Sequence, residues 1–144
     1  MKFNFRLQTV LDVKEKWLKQ KQDELAKLNM KKEMQKKEIE LIHEKILKIE
    51  SEINGDEHFT PSEQRLKYDY YHDLLHSLQF EEIKLAEIEE EILNKQQELI
   101  NFSKEIKILE SLKDKAFDEY KAKLQELNQK LLDELAIINT RVMV

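Results

Sequence analysis

Cysteine is absent from this chain, and glycine and proline occur once each. Without cysteine there are no disulfides, no thiolate metal sites and no cysteine nucleophile, which fits a reducing compartment. A lone glycine cannot build a phosphate cradle, which needs several beside a helix N-terminus. No segment approaches the ~20 consecutive apolar residues of a membrane span, and the start has no apolar stretch of the signal-peptide kind. A net charge of −5 argues against nucleic acid as the main partner. The carboxylates are many but spread over solvated faces, so no desolvated pair stands out for acid–base work. The serines show no arrangement with His and Asp that would make a nucleophile. His72 and His76 are four apart with His43 across the corner, which could bring three imidazoles near a zinc. That site would have no second shell, and surface histidines are the default. No metal, cofactor or catalytic activity is expected.

What is present is charge and a narrow apolar seam: 38% of residues are charged and 40% hydrophobic, the balance of long solvated helices. Such a stripe is too thin for a layered globular core. The breakers sit together in Asn54-Gly55-Asp56-Glu57-His58-Phe59-Thr60-Pro61-Ser62-Glu63. Gly55 suits a left-handed helix end and Pro61 the first position of the next helix. Thr60 and Glu63 stand at capping-box spacing. The chain therefore reads as all-α, residues 1–144 forming one antiparallel two-helix coiled-coil hairpin. Helix 1 covers about residues 4–53, the corner about 54–60 and helix 2 about 61–140.

Charge supports the pairing. A hairpin centred near His58 has facing numbers totalling roughly 115. Residues 14–37 hold nine lysines and four acids, and their partners under that rule, 78–101, hold two lysines and seven acids. Opposite charges beside a seam set orientation, although each surface pair contributes only about 0–1 kcal/mol. The first seam runs Leu7, Leu11, Lys14, Leu18, Lys21, Leu25, Leu28, Lys32, Gln35, Ile39, Ile42, Ile46, Ile49, Ile53. The second runs from Tyr71 through Leu74, Leu78, Glu81, Leu85, Ile88, Ile92, Lys95, Leu99, Phe102, Ile106 and Leu109. It then slips by fours through Leu112, Ala116, Tyr120 and Leu124, a stutter. Lys32 and Glu81 either neutralise each other or Lys32 snorkels to water.

At 1.5 Å per residue the helices measure about 75 and 120 Å, so the first covers the second only to about residue 110. The C-terminal helix then overhangs, with Phe117, Tyr120, Leu124, Leu127 and Leu131 among its apolar residues. A stripe of that length marks a binding surface; pairing of two overhangs in a dimer, or a frayed tail, would also account for it. Near the corner, Tyr68, Tyr70, Tyr71, Leu74 and Leu75 exceed what a two-helix seam can face. Either some are exposed as interface anchors, or the core thickens there under Phe59.

The opening Met1-Lys2-Phe3-Asn4-Phe5-Arg6-Leu7-Gln8-Thr9-Val10-Leu11-Asp12, then Glu15 and Glu24-Leu25-Ala26, resembles the FliJ family of bacterial flagellar export proteins. The Phe-x-Phe-x-Leu-x-x-Val-Leu-Asp pattern is the specific part, and Tyr71-His72-Asp73-Leu74-Leu75-His76-Ser77-Leu78 is similar to the aromatic-rich stretch after that family's turn. Length and corner position agree along the whole chain. The chain departs from the family at residues 137–144, apolar where a charged tail is expected. The resemblance implies a non-catalytic stalk of the flagellar type III export apparatus, cytoplasmic and peripheral to the inner-membrane machinery, and a monomer is expected. The end carrying both termini would enter the hexameric export ATPase. Other implied partners are the cytoplasmic domain of the export gate and export chaperones. Combined with the unpaired stripe, the resemblance assigns Phe3, Phe5, Arg6, Leu7, Val10, Phe117, Tyr120, Leu124, Leu127 and Leu131 to the ATPase contact. Tyr68, Tyr70, Tyr71, Leu74 and Leu75, with Ile42 and Ile49 across the hairpin, are assigned to the gate. The alternatives are a self-associating scaffold or adaptor and a holding chaperone.

Overall fold

Two runs of 3-4 seam spacing, mostly apolar, give two helices packed against each other in the computed structural model, which describes residues 2–55 and 58–143, the side chains of 142 and 143 excepted. Helix α1 is Gln8–Asn54 and helix α2 is Pro61–Met143. No strand occurs among the described residues. The contacts divide the chain into two units, Gln20–Leu99 and a second one made of the residues up to Lys19 and from Ile100 onward. Each unit is built on the seam. None of the α1 seam positions from Leu7 to Ile53 is exposed, and none of the α2 positions from Tyr71 to Leu109 is.

In the unit Gln20–Leu99, the corner is closed by the capping box. Glu63 N–H donates to Thr60 Oγ1 at 3.2 Å and Thr60 N–H to Glu63 Oε2 at 3.3 Å, so two free helix donors are satisfied reciprocally. Gly55 departs from expectation: its φ is not positive, so the left-handed end is not used. A Cβ there would stand 3.2 Å from the Ser51 carbonyl oxygen, and close approach is what glycine permits. Phe59 folds back over the corner, with Lys67 Nζ 3.8 Å from its ring centroid. Beneath lies an apolar cluster of Ile46, Ile49 and Leu74, with Ile42, Ile53, Tyr71 and Leu78 against it.

The register differs from 115. Facing layers such as Ile46 and Leu74 total 120, and the ion pair Glu24–Lys95 totals 119. Helix α2 thus starts about a turn beyond the level of Asn54. The slip explains why Lys32 and Glu81 do not meet. Lys32 Nζ pairs with Glu89 at 3.9 Å, while Glu81 takes the side-chain amide of Gln35 on both its carboxylate and its carbonyl. Farther along the same unit, Lys21, Glu24, Lys95 and Glu98 form a closed quartet, the shortest contact being Lys95 Nζ to Glu24 Oε2 at 2.7 Å. Glu98 Oε2 is buried without an aligned hydrogen bond, and lies 3.2 Å from Lys21 Nζ, held by charge.

In the other unit, Leu11, Ile106 and Leu109 form the buried cluster, with Leu7 and Leu18 packed on it. Lys14 Nζ bonds Glu105, again a total of 119. Helix α1 starts at Gln8 rather than near residue 4. Residues 2–5 are not helical and 6–7 form a turn, closed by Gln8 N–H to the Phe5 carbonyl at 3.1 Å. Leaving the helix lets Phe5 be buried and Phe3 pack on α2, a larger apolar gain than one more exposed helical turn would bring. The α2 seam holds its 3-4 rhythm past Leu109 through Lys113, Ala116 and Tyr120, all half-buried, whereas Leu112 is exposed. The expected slip at Leu112 is therefore absent, and two successive steps of four come only at Ala116, Tyr120 and Leu124, all half-buried. The long stem of Lys113 takes the seam place and carries its charge to water.

Candidate interaction surfaces

The first surface belongs to the unit that holds both chain ends. Phe3 sets its ring edge against Phe117, centroids 5.0 Å apart at 68°, and lies 5.5 Å from Tyr120. Aromatic pairs in this geometry contribute about 0.5–1.5 kcal/mol beyond area. Lys121 Nζ stands 4.6 Å from the Phe117 centroid. A cleft of about 310 Å³ runs alongside, lined by Lys2, Phe3, Asn4, Ala116, Tyr120 and Lys123. Beyond the cleft Leu124 is half-buried, and every described residue from 125 to 141 is exposed. Leu127 is 45% exposed and Leu131 58%. With Leu135 and Ile138 these continue one helical face at steps of three and four.

The expected ATPase residues divide accordingly. Phe3, Phe117 and Tyr120 come together, and half-buried Leu124 with exposed Leu127 and Leu131 extends the same face of α2. Phe5 is buried and Leu7 packs on the Leu11 cluster, so both support the surface from inside. Arg6 and Val10 are exposed. Trp17, 47% exposed with its ring edge 6.2 Å from Phe102, belongs to this unit as well. The apolar spacing passes over it, because it lies one position off the seam beside Leu18. A large aromatic out of phase on a charged helix was the available signal.

The second surface is at the corner. Tyr68 and Tyr70 are each 47% exposed and Leu75 is at 37%. Tyr71 and Leu74 face inward with Ile42 and Ile49, and Tyr71 Oη donates to Glu50 Oε1 at 3.1 Å. The core does not thicken enough to take all five side chains. Seven-residue spacing puts Tyr68 and Leu75 on one flank of the seam, while Tyr70 lies on the other. His43, His72 and His76 are exposed, and no group of three metal-capable side chains occurs among the described residues.

Two long helices in a seam, with no helix long and apolar enough to cross a membrane among the described residues, define a coiled-coil hairpin whose notable features are exposed apolar surfaces. Its residues 2–142 match the family described as flagellar FliJ protein, and the chain belongs to that family. Membership makes it a component of flagellar export, in a family that is non-catalytic. No curated protein and no solved structure matches it.

Proposed function

We propose that this protein is the stalk of the flagellar type III export apparatus. The end carrying both termini enters the hexameric export ATPase, its corner contacts the cytoplasmic domain of the export gate, and export chaperones are further partners. The observation that carries this is the exposed apolar face of Leu127, Leu131, Leu135 and Ile138, rooted in the Phe3–Phe117–Tyr120 cluster. A family member that promotes a ring's assembly needs such a face, since a long helix presents its apolar stripe as a docking edge. The contact runs through Phe3, Phe117, Tyr120, Leu124, Leu127 and Leu131, with Arg6 and Val10 at its border and Phe5 and Leu7 beneath. Location at the cytoplasmic side of the inner-membrane export machinery follows from these partners.

Replacing Leu124 and Leu131 by Glu tests the contact. Glu and Leu have similar helix propensity, and Leu131 is exposed, so circular dichroism should be unchanged. Co-sedimentation with the purified export ATPase and stimulation of its turnover should both disappear. Wild-type binding by the double variant would remove the stripe from the contact.

A further inference from the structure

The stripe has a border, and the border has a sign. On a helix of about 100° per residue, Phe117, Tyr120, Leu124, Leu127, Leu131, Leu135 and Ile138 lie within about 40° of one direction. Lys121, Lys123, Lys130 and Arg141 lie about 80–100° from that direction, along the edges of the stripe. Asp118, Glu119, Glu126 and Asp133 lie about 120–160° away, on the back. Glu134 is the one carboxylate at the edge. Lys130 reaches Glu126 behind it at 3.8 Å, a pair exposed to water on both sides and therefore worth little. The cleft at the root of the stripe adds Lys2 and Lys123 to the same margin. This occurs in a chain of net charge −5, in which residues 54–144 carry twenty acids against twelve bases.

We infer that the occupant of this stripe carries carboxylates beside its apolar residues, so that the basic edge of α2 from Lys121 to Arg141 steers and orients the docking. The inference rests on the proposed ATPase contact and specifies the chemistry of the facing surface. An acidic chain repels an acidic partner at long range, and a local basic margin reverses that sign where docking occurs. Rim charges of this kind act mainly on the association rate and its salt dependence, and apolar anchors on dissociation. A second copy is a poor occupant. Antiparallel pairing of two stripes brings Lys123 of one copy beside Lys130 of the other, twice, and like charges flanking a seam oppose pairing.

The test uses the full chain with Lys123, Lys130 and Arg141 changed to Glu, and purified export ATPase ring as the probe. Association rates are measured by rapid mixing at low and high salt, with helix content checked by circular dichroism. The wild-type rate should fall steeply with salt, and the triple variant at low salt should associate about tenfold or more slowly. A triple Lys123→Gln, Lys130→Gln, Arg141→Gln variant should fall between them. Ring binding that is insensitive to salt and to the reversals overturns the inference while leaving the ATPase contact standing. Absence of any wild-type ring binding removes both. Concentration-dependent dimerisation in sedimentation, strengthened by the neutral Gln variant, would assign the stripe to a second copy. Charge-dependent binding to anionic phospholipid vesicles, with no charge dependence on the ring, would assign the edge to lipid; either result overturns an acidic protein occupant.

Discussion

Single side chains give the hairpin part of its dependence on pH. The Lys95 ammonium donates to Glu24 and holds that carboxyl below its ordinary 4.5. The same bond holds Lys95 above its ordinary 10.5. Glu24 therefore contributes its full share above about pH 4.5 and loses it as the pH falls through the lowered folded value. Lys95 contributes fully below 10.5 and loses its share as the pH rises through the raised folded value. Tyr71, kept protonated by its bond to the Glu50 carboxylate, sits above 10.0 and adds to the alkaline loss. Thermal melts followed at 222 nm should be most stable between these limits. Lys95→Met should flatten the acid limb, because Glu24 then loses the partner that lowers its pKa; an unchanged acid limb would show that the quartet contributes nothing.

At the scale of elements, the corner is the most legible part of the chain. Thr60, Pro61 and Glu63 fix where α2 begins, and the structure places that start at Pro61 with both capping bonds made. Thr60→Ala should cost about 1 kcal/mol, read as a lower midpoint in urea, with no change in the denaturant slope if only the cap is lost. A neutral result would mean that Phe59 and Lys67 hold the corner without the box. Seam membership from Leu7 to Ile53 and from Tyr71 to Leu109 was readable to the residue, since a 3-4 rhythm leaves little choice of inward face. Register was not. Counting from the loop gives a level start for both helices, and nothing in Gly55 or His58 announces that α2 begins a turn farther out. Nor does periodicity distinguish Lys113 from Leu112 at the end of the seam, because only packing shows which stem the neighbouring helix accepts. The start of α1 is not legible for a similar reason: Phe3 and Phe5 gain more from packing in a non-helical segment than from helix, a tertiary preference that local pattern does not contain.

For the molecule as a whole, the division between buried and exposed decides which assigned residues can meet a partner. At the corner Tyr68, Tyr70 and Leu75 are exposed while Ile42, Ile49, Tyr71 and Leu74 pack in the seam, so only the first three can touch the proposed gate partner. Tyr68→Ala with Tyr70→Ala should weaken binding to the gate's cytoplasmic domain by more than about 1 kcal/mol, the usual loss at an aromatic anchor, while ATPase affinity stays unchanged. Equal losses at both partners would indicate a destabilised hairpin, and no loss would confine the tyrosines to local packing. The C-terminal part of α2 carries a different consequence. Between residues 125 and 141 no side chain is buried, so those turns are held by their own backbone bonds, and an isolated helix of such length is marginal in water. Its amides open to solvent far more readily than those beside Ile88 or Ile106. Whatever covers the stripe also raises the free energy of that local opening, so hydrogen exchange and protease cleavage in these turns register, residue by residue, whether the helix is occupied.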